Sequence, residues 1–224
     1  MGVVFFINFF ILSFFFVEHS FKYYLILSLA FIISFVSFID DKYDISAKFR
    51  LLVQIWIWAL IWITSIKIGY ISNIFGWVIN LETYHFELFG HIVYIIPLIF
   101  TIIWYVVLFN SLNWSDWIPW ITSGLSSVSF FILFVLAMTL FFKDDYEWWI
   151  KNAMFVAELS LILFTSTRVF WFFDIREKIL MWDSWTMFLA FMLATLSIIA
   201  GWKVATVLVV FGIYFIDAFY VIIK

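Results

Sequence analysis

The chain has no cysteine, which removes disulfides, thiolate metal sites and cysteine nucleophiles together. Charge is scarce: Asp, Glu, Lys and Arg make up 12% of the 224 residues, where a soluble domain carries about 25%. The net charge is −3 and the basic residues are scattered, so there is no basic patch and nucleic acid is excluded as a partner. Proline occurs only at 97 and 119. Glycine occurs seven times, well below the usual level of about 7%, although transmembrane helices normally carry more glycine than soluble ones. What fills the chain instead is apolar: 67% hydrophobic residues, including 32 Phe, 14 Trp and 10 Tyr, with a mean hydropathy of +1.15. That composition leaves too little polar surface to cover a soluble globule, and it is the opposite of a disordered chain. The reading is an all-α integral membrane protein.

A helix crosses the bilayer with roughly 20 mostly apolar residues. Eight stretches approach that length: 3–17, 23–39, 51–68, 91–109, 121–142, 153–173, 186–201 and 204–223. The first has no basic n-region and no small-residue cleavage site, so it reads as a span and not as a signal peptide. With no repeat or low-complexity linker, residues 1–224 are expected to form a single membrane-embedded bundle of about eight helices. Segment 70–81 carries two short β-prone runs around Phe75-Gly76, which predicts a small extracytoplasmic β-hairpin. Alternation of eight spans places seven basic residues (Lys42, Lys48, Arg50, Arg168, Arg176, Lys178, Lys224) on the N-terminal side and five (Lys22, Lys67, Lys143, Lys151, Lys203) on the other. The positive-inside rule makes the first side cytoplasmic.

The loops whose polar residues are unlike ordinary connectors, 40–50, 110–120 and 174–185, all fall on that cytoplasmic side. The first opens with Asp40-Asp41-Lys42-Tyr43-Asp44. Paired carboxylates at the end of a Phe/Ile-rich span are costly unless they face water or a cation; solvated charges with Asp44 as a helix cap are the plainer account. In the second, Asn110, Asn113 and Asp116 recur at a spacing of three, on one helix face. Two amides and a carboxylate in line suit a polar ligand such as a nucleobase, and equally suit helix capping at the membrane surface. The third holds Asp183 before Ser184, either an N-cap or a metal ligand, since Mg²⁺ is usually held by one or two carboxylates plus substrate phosphates. Together the loops gather Asp40, Asp41, Asp44, Asp116 and Asp183 on one membrane face, the charge that phosphate chemistry with a divalent ion requires.

The segment Phe38-Ile39-Asp40-Asp41-Lys42-Tyr43-Asp44-Ile45-Ser46-Ala47-Lys48-Phe49-Arg50-Leu51-Leu52-Val53-Gln54 resembles the FxDDxxDxSxKxRLLxQ motif of the polyprenyl-phosphate N-acetylhexosamine-1-phosphate transferases, glycosyltransferase family 4. Residues 110–124 resemble that family's NxxNxxDGxDGLxxG loop, and Lys178-Ile179-Leu180-Met181-Trp182-Asp183-Ser184 its KIFMGDSG. The resemblance implies transfer of a sugar-1-phosphate from a UDP-N-acetylhexosamine to a polyprenyl phosphate, at the cytoplasmic face of the plasma membrane. It also implies release of UMP and a requirement for Mg²⁺, with Mn²⁺ as a substitute. Carried onto matching positions, Asp183 and Asp116 would be metal ligands. Asp40, Asp41, Asp44 and Asp183 would be catalytic, the first two beside the lipid phosphate. Asn110, Asn113, Asp116 and Lys48 would bind substrate. Membrane lipid is the other implied partner, and a homodimer is left open.

The family's glycines are replaced here by Trp117, Trp120, Trp182 and Trp185. An indole beside a diphosphate fills space that the backbone needs. Since UGA lies one base from a glycine codon and one from the tryptophan codon, the expectation is that UGA encodes glycine at these positions. Pro119 stands where the family's second loop carries a further Asp, and the family usually extends beyond both ends of this chain. His19, His85 and His91 fall on the outer side, as interface residues. If the four Trp are genuine, activity is in doubt and the reading becomes a non-catalytic homologue acting as a membrane scaffold. A transporter, motivated by Glu158 and Asp217 within spans, ranks below both.

Overall fold

The computed structural model describes residues 2–43, 45–63, 66–72, 77–88, 91–116, 120–143, 146–176, 183–201 and 212. Seven α-helices and four short strands follow in the order α1 (Gly2–Phe16), α2 (Phe21–Tyr43), α3 (Ala47–Ile63), β1 (Tyr70–Ser72), β2 (Val78–Asn80), β3 (His85–Leu88), β4 (His91–Tyr94), α4 (Ile95–Ser115), α5 (Ile121–Lys143), α6 (Glu147–Asp174) and α7 (Asp183–Ile199). Four of the helices, α2, α4, α5 and α6, are long and apolar enough to cross a membrane. They have 21 to 28 residues, which at 1.5 Å per residue gives about 32–42 Å. The protein is a multi-pass, mostly helical membrane protein.

Of the eight expected spans, these four are supported by length and composition among the described residues. Helices α1, α3 and α7 are apolar and shorter, with 15, 17 and 17 residues. The stretch 204–223 and Asp217 within it lie outside the described residues. The fourth expected span is also displaced, since His91–Tyr94 is a strand and the helix starts at Ile95. Backbone pairing decided this: His91–Tyr94 aligns antiparallel with His85–Leu88, pairing Leu88 with His91 and His85 with Tyr94. The hairpin expected over 70–81 is present as β1–β2, with Tyr70 opposite Asn80 and Ser72 opposite Val78. The second hairpin had no counterpart in the sequence reading.

A helix enclosed by protein needs no polar face, and α7 is such a helix. Every residue from Ser184 to Ile198 is buried, against α1, α2, α4, α5 and α6. Small residues, Ala190, Ala194 and Ser197, let its neighbours approach closely. Several hydroxyls buried in this apolar interior find acceptors on their own helices. Thr195 Oγ1 donates to the Phe191 carbonyl at 2.8 Å, Ser34 Oγ to Ala30 at 2.7 Å and Thr101 Oγ1 to Pro97 at 2.7 Å. Between helices, the Tyr105 hydroxyl meets Thr195 Oγ1 at 2.7 Å and Trp104 Nε1 donates to Ser197 Oγ at 3.2 Å, locking α4 antiparallel to α7. On α1, Asn8 Nδ2 donates to Ser166 Oγ of α6 at 3.0 Å. The outward faces carry Phe and Ile, such as Phe15, Phe31 and Phe131, for contact with lipid.

The hairpins join the ends of α3 and α4. Their base is fixed by the Lys67–Glu82 ion pair at 2.8 Å and by Leu81 N–H donating to the Gly69 carbonyl at 2.9 Å. At Gly69 a Cβ would stand 2.9 Å from the Glu82 carboxylate, so a larger residue would have to displace that side chain.

Removing the Tyr105 hydroxyl isolates one interhelical bond. Tyr105→Phe is expected to lower stability by about 0.6 kcal/mol, the average for such bonds in a membrane, and Trp104→Phe by more because packing is lost as well. Equilibrium unfolding in mixed micelles reads both; an unchanged Tyr105→Phe would show that the pair carries no stability.

Candidate active site

Helix direction brings the three polar loops to one end of the bundle. Helices α2, α4 and α6 finish there, and α3, α5 and α7 start there. Two side-chain contacts join the loops across this end. Asp41 Oδ2, at the close of α2, accepts the backbone N–H of Ser184 in the first turn of α7 at 3.2 Å. Asp174, the last residue of α6, accepts through Oδ2 from the Trp120 backbone N–H at 3.1 Å and from Ser123 Oγ at 2.6 Å. Both carboxylates sit at the N-terminus of another helix, where unpaired N–H groups favour negative charge.

Within the first loop, Asp40 is buried and its Oδ1 accepts from the Ile45 N–H at 2.8 Å. It turns the chain from α2 toward α3. Asp41 is half-buried and Lys48, in the first turn of α3, is exposed. Asp44 lies outside the described residues. In the second loop, Asn110 and Asn113 are both in the last turns of α4 and half-buried, and Asp116 is the C-cap, also half-buried. The side-chain amide of Asn110 donates to the Val106 carbonyl one turn back at 2.7 Å. Ser115 Oγ, 3.1 Å from Thr122 Oγ1, ties the end of α4 to the start of α5. Asp183 is the first residue of α7, one position before the Ser184 N–H that Asp41 receives. Residues 117–119 and 177–182, with Trp117 and Trp182 among them, lie outside the described residues.

The structure adds one residue that the sequence reading missed. Asp174 is only 2% exposed, and its contacts fix the start of α5, hence the exit of the Asn110–Asp116 loop. Its signal was the same as that of Asp40, an aspartate directly after an aromatic span. Nearby, Gly124 of α5 faces Trp171 of α6: a Cβ there would stand 2.8 Å from the indole Nε1. The Arg168 guanidinium covers the ring of Trp171 at 4.3 Å.

The donors at this end are carboxylates and amides, hard oxygen ligands of the type that suits Mg²⁺. No three His, Asp or Glu side chains converge among the described residues. Mg²⁺ does not need three, since it keeps waters and takes substrate phosphates beside one or two carboxylates. The donor set is compatible with such an ion.

The sequence model of Glycosyl transferase family 4 matches residues 23–201, from the start of α2 to the end of α7. The chain belongs to glycosyl transferase family 4. A curated relative in Bacillus subtilis (strain 168), described as a probable undecaprenyl-phosphate N-acetylglucosaminyl 1-phosphate transferase, is 28% identical over 202 residues. That alignment takes in 87% of this chain and 50% of the relative, so the chain spans half the length of the curated relative it matches. The family match covers all three loops and every helix that meets at the motif end.

Loss of the Asp174 carboxylate leaves a backbone N–H and a hydroxyl without their acceptor. Asp174→Ala is expected to cost about 1–3 kcal/mol, Asp174→Asn less, and Ser123→Ala least because the backbone bond survives. Chemical unfolding of the three variants gives the order; a Ser123→Ala loss equal to that of Asp174→Ala would remove Asp174 from the role of cap.

Proposed function

We propose that the chain catalyses transfer of N-acetylhexosamine-1-phosphate from a UDP-sugar to polyprenyl phosphate at the cytoplasmic face of the plasma membrane. The observation that carries this reading is the Asp41–Ser184 contact. It brings the first and third loops together within a chain that belongs to this family. A lipid phosphate oxygen attacks the phosphorus that bears the sugar. The new P–O bond forms as the bridging P–O bond of the diphosphate breaks, and UMP leaves with the bridging oxygen. Such a displacement depends mainly on positioning and charge neutralisation.

The roles divide by exposure. Asp40 is buried and occupied by the Ile45 N–H, so it shapes the loop. Asp41 is the more accessible of the pair, held by α7, and takes the place beside the lipid phosphate, receiving its proton when the phosphate is monoprotonated. Asn110, Asn113 and Asp116 contact the nucleotide and the exposed Lys48 meets substrate phosphate. Asp44 lies in the same loop as a third carboxylate. Asp183 and Asp116 would hold Mg²⁺, which supplies charge neutralisation on the diphosphate when bound.

In a chain carrying glycine at 117, 120, 182 and 185, Asp183→Asn is expected to lower UMP release by 10²-fold or more, on the order seen when a transition-state-stabilising group is lost. Glu87→Gln, on exposed β3 at the other end, should leave turnover unchanged. UMP release followed against Mg²⁺ concentration checks both, and near-normal turnover of Asp183→Asn would overturn the assignment.

Sidedness has its own test. Ser115 and Ser184 are buried, so cysteine is better placed at the exposed positions 46, 114 and 176. All three should react with a membrane-impermeant thiol reagent from the cytoplasmic side only. Labelling of any of them from outside would reverse the orientation.

A further inference from the structure

Tryptophan outnumbers glycine by 14 to 7, and the structure sorts the tryptophans by fit. Trp104 is buried with its indole N–H donated to Ser197. Trp171 stands under the Arg168 guanidinium. These places are shaped for an indole. Two others are not.

Trp120 has φ +66°, and no other non-glycine residue among the described ones has a positive φ. In this region Cβ crowds the following carbonyl, and only glycine enters it freely. Both backbone groups of residue 120 are fixed: the N–H goes to Asp174, and the carbonyl accepts from Gly124 N–H at 3.0 Å. The turn therefore demands this φ whatever side chain is attached. Trp185 presents a different misfit. It is 2% exposed, and its ring centroid lies 3.6 Å from that of Phe5 at 64°. Tilted aromatic pairs settle at about 4.5–7 Å. Phe170 closes the other side at 4.4 Å. The indole N–H, fully enclosed, has no acceptor, a rare condition for a buried donor.

We propose that residues 120 and 185 are glycine in the protein as its own cell makes it, each encoded by UGA, while Trp104 and Trp171 are encoded by UGG. A tRNA that carries glycine and reads UGA inserts glycine, and the same triplet read as tryptophan produces the written sequence. Glycine adopts the φ of residue 120 without steric conflict, and at 185 it removes both the ring crowding and the orphaned N–H. The second change also opens space between Phe5 and Phe170, next to the Asp41–Ser184 contact. The inference rests on backbone and packing, and stands independently of the transferase reading.

The deciding experiment is peptide mass spectrometry of the protein purified from its native cells, with the gene sequenced alongside. Glycine is expected at 120 and 185 over UGA codons, and tryptophan at 104 and 171 over UGG. Tryptophan at 120 or 185 overturns the proposal, and so does glycine at 104 or 171, because decoding would then not follow the fit. A second readout uses the chain as written, made recombinantly. Trp120→Gly should raise the unfolding midpoint, because the turn keeps its φ and the side chain is exposed, whereas Trp104→Gly should lower it. A lowered midpoint for Trp120→Gly would mean that the turn does not favour glycine and would overturn the proposal there.

Discussion

This bundle is arranged around one helix that packs against five others. Between Ser184 and Ile198, α7 is buried on all sides, so its position is dictated by five neighbouring helices and not by a membrane-facing stripe. An all-round apolar sequence with Ala, Ser and Thr spaced along it suits that place: bulk would hold the neighbours apart, and lone polar atoms would be stranded. The hydroxyls avoid stranding by bonding one turn back or across to Tyr105 and Trp104. Because α7 also begins at the loop that carries Asp183, the best-enclosed element of the fold and the most chemically suggestive one are the same piece of chain.

At the motif end, three aspartates share a structural habit. Asp40, Asp41 and Asp174 each accept a backbone N–H, two of them at the start of another helix. In a low-dielectric setting an unpaired N–H and an unpaired carboxylate are both costly, and each cancels the cost of the other. The same contacts fix the spacing of the loops, so the carboxylates that suggest chemistry also build the platform on which it would take place. This division explains why adjacent residues of one motif differ so much in exposure: Asp40 is committed inward and Asp41 is half open.

Composition and hydropathy were enough to read the membrane class and the long helices, because long apolar runs with polar ends have few other solutions. The β1–β2 hairpin was legible from its β-prone runs around Phe75-Gly76. The β3–β4 hairpin was not. His91-Ile-Val-Tyr is as apolar as the helix it precedes, and only its pairing with His85–Leu88 marks it as a strand. The loop motifs were readable as residue types at fixed spacing. What the spacing left hidden was that Asp174 belongs with Trp120 and Ser123, a contact between residues 54 positions apart. The excess of tryptophan over glycine was visible at once, but which indoles fit their surroundings became visible only from backbone angle and packing.

The hairpin base sits deeper than a surface loop would. Ile66, Ile68 and Leu81 are buried, and the Ile68 N–H donates to Thr101 Oγ1, more than a turn inside α4. The ring hydroxyl of Tyr70 reaches toward Gly201 just beyond α7, where an added Cβ would be 3.1 Å away. Non-helical backbone among apolar helices is tolerated where protein surrounds it, and through these contacts the segment ties the end of α3 to α4 and to the end of α7.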